Sequence, residues 1–139
     1  MMEVYFDKLE EVMDNCYLIN KGVRSCYMTT VTGPDEDYES GVYENPYIVI
    51  SATKKVKAIE DYAKKEGLYF YSYKLKDLEE DIALDQHTYC CWIYKYPHQG
   101  IILKSLPGEH GFIEEWIVGK LLGYSDVAME EFLSQKEDN

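Results

Sequence analysis

The stretch from Tyr47 to Leu75, YIVISATKKVKAIEDYAKKEGLYFYSYKL, decides how this chain is read. It opens on YIVIS, apolar toward both faces, which is the composition of an interior strand. Val56, Ile59, Tyr62 and Ala63 then recur at helical spacing. Gly67 stands where a helix C-terminus calls for a glycine. LYFYSYKL returns as a strand. A strand, a helical crossover and a second strand predict a parallel, right-handed βαβ unit over about residues 47–75.

Outward from that unit, Glu3 to Asp14 reads as a short amphipathic helix with Val4, Leu9, Val12 and Met13 on its apolar side. In CYLINKGVRSCYMTTVTG, two β-rich runs flank Lys21-Gly22 and predict a hairpin. GPDEDYESGVYENP is bounded by Gly33-Pro34 and Asn45-Pro46 and reads as a loop. Beyond Leu75, KDLEEDIALDQ predicts a short acidic helix and TYCCWIYKYP a strand. GIILKSLP is expected to pair with that strand across PHQG, and the C-terminal part reads as helical. There is no internal repeat, linker or low-complexity tract. The expected architecture is therefore a single compact α+β domain over residues 1–139. It has a small mixed sheet, an N-terminal helix and a C-terminal αα-hairpin.

Length and composition agree with a globular fold. A chain of 139 residues buries about 68–70% of its unfolded surface, and 46% of this one is hydrophobic. Its 26 acidic and 14 basic residues leave a net charge of −12. That charge disfavours binding to nucleic-acid polymers and to anionic membranes, and it favours a basic partner. Arg24 is the only arginine, so the planar fork used for bidentate phosphate and guanine contacts is nearly absent. Cys16, Cys26, Cys90 and Cys91 include no CxxC spacing and read as reduced, buried thiols of a cytoplasmic protein. The charged N-terminal stretch does not resemble a signal peptide, and no apolar run is long enough to span a membrane.

Trp116 to Leu133, WIVGKLLGYSDVAMEEFL, has the layout of two helices joined at a tight turn. Val118 and Gly119 supply small residues, Leu122-Gly123-Tyr124 the turn, and Ser125 an N-cap. Met129 and Phe132 fall where the last helix faces the one before it. The segment resembles a DNA-binding helix-turn-helix. That resemblance would put the last helix in the major groove, but the helix presents Asp126, Glu130 and Glu131 to the phosphates. The packing is therefore expected and the DNA-binding role is not. What remains is an αα-hairpin with an acidic surface suited to a protein.

The loop acids Asp35, Glu36, Asp37, Glu39 and Glu44 lack the order of an EF-hand, since Pro46 occupies the place of the closing glutamate. Together with Asp126, Glu130 and Glu131 they form the candidate acidic surface. Carboxylates spaced in this way can imitate DNA phosphates. The second candidate is aromatic. Tyr69, Tyr71 and Tyr73 alternate along one strand, and Trp92, Tyr94 and Tyr96 along another. If the strands are neighbours, these residues share a sheet face, either covered by helices or open as a platform or pocket. Arg24, with Lys21 or Lys104, would then meet the phosphate of a small nucleotide.

Chemistry has less to work with. His98 and His110 are the histidines in turn-like segments, YPHQGI and PGEHGF. Alternation sends Cys90 and Cys91 to opposite faces of their strand, which argues against a shared zinc. No nucleophile elbow, HExxH, P-loop or dinucleotide-binding turn is present. No metal or cofactor is expected.

Three readings follow. One is a non-catalytic acidic interaction protein that blocks a basic nucleic-acid-handling enzyme. In composition and class it is similar to phage- or mobile-element-encoded inhibitors such as anti-CRISPR and anti-restriction proteins. Another is a small-ligand or nucleotide-sequestering protein with a tyrosine-lined pocket. The third is an enzyme using His98 or His110.

Overall fold

The computed structural model describes residues 6–41, 46–76, 79, 85–107 and 111–137. Five helices and two antiparallel sheets among them form an α+β fold. In chain order the elements are α1 (Asp7–Asn20), β1 (Cys26–Gly33), β2 (Tyr38–Ser40), β3 (Tyr47–Val49), α2 (Ala52–Lys65) and β4 (Tyr69–Lys74). Then follow β5 (His87–Tyr94), α3 (Pro97–Ser105), α4 (Phe112–Leu121) and α5 (Asp126–Glu137). No helix among the described residues is long and apolar enough to cross a membrane.

The main sheet has the order β1-β5-β4, with both pairs antiparallel. β5, HTYCCWIY, is buried along most of its length toward both sides, so it is the interior strand. Alternation then divides the sheet into two faces. Tyr27, Val31, Phe70, Cys91 and Ile93 face α1 and α2, packing with Val12, Cys16, Ile19, Ile59 and Ala63. Cys26, Met28, Tyr71, Tyr73, Cys90, Trp92 and Tyr94 face Leu103 of α3, Val118 and Leu121 of α4, and Leu122 at the C-cap of α4. The result is three layers, with helices on both sides of one small sheet.

The helix over Ala52–Lys65 and the strand after it form as the sequence predicts. Ser51 caps the helix by accepting the Lys54 N–H, and Gly67 ends it at φ +77 in a Schellman turn. The parallel βαβ unit does not form, and the sheet is antiparallel rather than mixed. β3 pairs instead with β2, inside the segment expected to be a loop, as a separate two-stranded sheet. β5 occupies the place beside β4 and holds β1 on its other edge, so the long apolar strand is buried on both faces. β3 is held where it is by the chain that follows. The Ala52 N–H donates to the Pro34 carbonyl, and Gly33 lies so close that a Cβ there would sit 2.8 Å from the Ala52 nitrogen. Tyr47 and Ile48 consequently remain 58% and 59% exposed.

Two further expectations are corrected. There is no hairpin at Lys21-Gly22. The apolar stripe begun by Val12 continues through Cys16 and Ile19, so α1 runs to Asn20. It ends in a Schellman turn at Gly22, with Val23 N–H to Leu18 O and Gly22 N–H to Ile19 O. Met13, placed on the apolar side by sequence, is exposed. GIILKSLP is helical rather than a strand, because Pro97 opens α3 and the Gln99 side chain accepts the Tyr96 N–H in the manner of a capping box. The expected helix over KDLEEDIALDQ lies outside the described residues except at Lys76, Glu79, Asp85 and Gln86.

The C-terminal αα-hairpin forms as expected. Ser125 Oγ accepts the Ala128 N–H at 3.1 Å, and Gly123 makes the turn at φ +91. A Cβ at Gly119 would overlap the Met129 thioether, so the glycine allows α4 and α5 to touch.

Candidate functional site

The aromatic strands are neighbours. Tyr69 is registered with Tyr94, Tyr71 with Trp92 and Tyr73 with Cys90. Tyr69 and Tyr94 stack with centroids 5.7 Å apart. The face is covered by α3 and α4, and Trp92 is only 2% exposed. α3 reaches it through Gly100, where a Cβ would overlap the Tyr94 hydroxyl. Tyr96 does not belong to this face. The strand ends at Tyr94, and Tyr96 is the exposed N-cap of α3, stacked on His98.

The cover is incomplete. Between the sheet and α3–α4 lies a cavity of about 510 Å³, lined by Tyr71, Tyr73, Leu75, Trp92, Leu103, Leu106, Pro107 and Val118. Its volume is in the range of small-molecule sites. Trp92 Nε1 is buried, and its N–H interacts with the Tyr73 hydroxyl and the Cys90 sulfur. Burial raises the Tyr73 phenol to about 12, so it stays protonated. Burial also raises the Cys90 thiol. Lys104 Nζ lies 5.5 Å from the centroid of the Tyr71 ring, which places a cation beside the cavity.

Arg24 is elsewhere. It donates to Asn15 Oδ1 at 2.6 Å and to the Cys26 carbonyl, and its guanidinium lies over Tyr27 on the α1 side of the sheet. Lys21 lies over Tyr17. Arg24 and Lys104 therefore do not form a joint phosphate site.

The acidic residues fall into two sets attached to opposite layers. Asp37 accepts the Ser51 N–H at 2.7 Å and pairs with Lys54 at 2.6 Å, which fastens the loop to the start of α2. The Lys54 ammonium, then the Ser51 amide, hold its carboxyl below the ordinary value of 3.8. Asp35 Oδ1 lies 2.9 Å from His87 Nε2, and Asp85 Oδ1 lies 3.4 Å from it. These three ligand atoms fall within 4.8 Å of one another, a set that suits a divalent cation or a histidinium held by two carboxylates. Glu36 and Glu39 are exposed, and Glu44 lies outside the described residues. In the other set, Asp126 pairs with Lys120 at 2.5 Å. Glu130 and Glu131 are exposed on α5 and make no ion pair with a described residue.

The hairpin has a further feature that charge patterning did not reveal. α4 is apolar nearly all round, yet only one side of it meets the sheet. Phe112, Ile113 and Trp116 point outward, and Ile113 is 75% exposed. Val127, at 66%, and Phe132 and Tyr124 extend the exposed apolar surface onto α5 and the turn. Between the helices runs a groove of about 450 Å³, lined mainly by Val118, Leu122, Tyr124, Ala128, Met129 and Phe132, with Glu115 at its side. The apolar spacing in FIEEWIVGKLL carried the signal: a helix hydrophobic all round needs cover on more than one side.

His98 is exposed against Tyr96, and His110 lies outside the described residues. Burial pushes Cys16, Cys26 and Cys91 up to about 12, so these thiols are not thiolates near neutrality.

No protein-family model, curated protein or solved structure matches this chain.

Proposed function

We propose that this chain is a non-catalytic protein-binding module whose acidic C-terminal hairpin receives a basic, amphipathic segment of a partner. The observation that carries this reading is the outward apolar surface of α4 and α5. Phe112, Ile113, Trp116, Val127 and Phe132 are all exposed along one two-helix unit. Exposed apolar surface of this kind, with aromatic residues in it, is typical of interaction sites. Charge selects the partner. Among described side chains the hairpin carries Glu114, Glu115, Asp126, Glu130 and Glu131 against Lys120 alone. A helix with one apolar and one Lys/Arg face meets both requirements in the helix-in-groove mode.

Nucleic-acid-handling enzymes are a fitting partner class because their working surfaces are basic. Binding through the hairpin fits better than mimicry of a DNA backbone. The carboxylates of the β1–β2 loop belong to the α2 layer and those of α5 to the opposite one, so a single phosphate-like row is not assembled.

The test is titration with a synthetic Lys/Leu amphipathic helix while amide shifts are followed. Shifts confined to α4 and α5, with affinity falling as salt rises, are the expected result. Ile113→Ser and Val127→Ser alter exposed positions and should weaken binding roughly fivefold to tenfold each without unfolding the chain. Glu130→Lys with Glu131→Lys should weaken it further. Shifts centred on Glu36 and Glu39, or indifference to the charge reversal, would overturn the reading.

A further inference from the structure

We propose that the gap between β1 and β3 takes up one extended peptide strand of a partner protein, which joins the two sheets into one. The first support is a pair of open edges. Among the described residues β1 has a neighbour, β5, on one side only, and β3 has β2 on one side only. Thr30 to Thr32 of β1 and the chain from Tyr47 to Ile50 line the same cavity of about 630 Å³. The two strands meet at one end, where the Ala52 N–H donates to the Pro34 carbonyl and a Cβ at Gly33 would lie 2.9 Å from the Ile50 carbonyl oxygen. Both run toward that junction, so their edges follow the same direction. A strand that enters antiparallel to both makes the more stable kind of pairing on each side.

The main chain of β1 states what the occupant must offer. The Lys95 N–H donates to the Ser25 carbonyl, so alternation turns the peptide groups of Tyr27, Thr29 and Val31 toward β5. Those of Cys26, Met28, Thr30 and Thr32 face the open edge. Arg24 holds the Cys26 carbonyl and Lys55 the Thr32 carbonyl. The N–H and C=O of Thr30 and the N–H of Thr32 meet no partner among the described residues. An extended main chain supplies donors and acceptors at the matching spacing. Tyr47 and Ile48, 58% and 59% exposed, give its side chains apolar contact. Charge adds one further requirement. Lys8 is paired with Glu11, and Asp7 lies in the first turn of α1, where the helix dipole favours it. Lys55 makes no ion pair with a described residue. The fitting strand is therefore apolar at alternate positions and carries one acidic residue to meet Lys55. No residue of this cleft belongs to the α4–α5 hairpin, so the site is independent of the one proposed there.

The probe is the peptide acetyl-Thr-Val-Glu-Val-Thr-amide. It is compared with its Gln analogue and with two N-methylated forms that block alternate amides in one phase or the other. The readout is solvent exchange of the Thr30 and Thr32 amide protons, with Thr29 and Val31, which already face β5, as the internal reference. In the free chain Thr30 and Thr32 should exchange rapidly, and the peptide should slow them roughly tenfold or more. Both methylated forms should bind about tenfold more weakly, because each phase pairs with one of the two flanking edges. The Glu peptide should bind about threefold more tightly than the Gln peptide, and Lys55→Met should remove that difference. Slow exchange at Thr30 and Thr32 before any peptide is added would overturn the proposal, since the edge would already be occupied. So would full binding by either methylated form, equal binding of the Glu and Gln peptides, or unchanged exchange up to about 5 mM peptide, where even weak sites fill.

Discussion

Cys90 and Cys91 are neighbours in one strand, yet they enter two different interiors. Cys91 faces α1 and α2, where Val12, Cys16, Ile19, Ile59, Ala63 and Ile93 are all completely buried. Cys90 faces α3 and α4, among Trp92, Tyr73, Tyr71 and Met28. The first interior is aliphatic at its centre, with Tyr27 and Phe70 at its margin. The second is aromatic, contains a cavity and continues outward into an incompletely covered hairpin. Apolar side chains that fill space hold the fold together. Aromatic rings with polar edges, incompletely covered, leave room for something else.

Core truncations test this division most severely. Ile59→Ala on the closed face should cost about 3 kcal/mol, because the surrounding aliphatic side chains are fully packed and cannot collapse into the space. Leu103→Ala borders the existing cavity and should cost roughly half as much, by the same dependence on newly created void. Urea unfolding of the pair measures the difference. Equal losses would mean that the two faces are packed alike.

Two glycine substitutions sharpen the view of the open face. At Gly100 a methyl group meets the rigid Tyr94 ring, so Gly100→Ala should destabilise by about 1–3 kcal/mol as α3 is pushed away. At Gly119 it meets the flexible Met129 side chain. Met129 can turn aside, and alanine gains up to about 1 kcal/mol in helix propensity, so Gly119→Ala should come out near neutral. Thermal unfolding distinguishes them. A loss at Gly119 as large as that at Gly100 would show α5 to be locked onto α4 and not merely resting there.

The same division explains what could be read in advance. Local features were legible: Ser125, Gly67 and Gly123 mark helix ends through their own backbone chemistry. The alternation of Tyr69, Tyr71 and Tyr73 marked one strand face, and the pairing of β4 with β5, which sequence left open, sets it beside Trp92 and Tyr94. Partner choice was less legible because it is non-local. YIVIS has the composition of an interior strand, but β5 competes for that place with a longer apolar run and wins two antiparallel neighbours. Cys16 and Ile19 fit a strand as well as a helix, and only packing against α2 selects the helix. The cavity depends on how α3 and α4 cover the sheet, which no periodicity in either segment reports.

Thiol labelling gives a comparison within one strand. All four cysteines are buried, so labelling requires opening. Cys90 lies in the incompletely covered layer and should react roughly tenfold faster than Cys91, with Cys16 and Cys26 replaced by alanine or serine one at a time to assign the rates. Mass spectrometry after timed alkylation reads the order. Equal rates would mean that the two faces open together.

The smallest expected effect concerns how each layer uses its acids. On the closed side Asp37 is structural, holding Ser51 and Lys54 at the start of α2. Its carboxyl is depressed below 3.8 in the folded chain, so ionised Asp37 favours folding. That contribution is complete above 3.8 and disappears as pH falls through the lower folded value. Asp37→Asn keeps an oxygen for the Ser51 N–H but loses the charge facing Lys54. The variant should be slightly less stable than the parent at neutral pH, and the two stability curves should converge at acid pH. Comparing the two chains removes the global effect of titrating the other carboxylates, which they share.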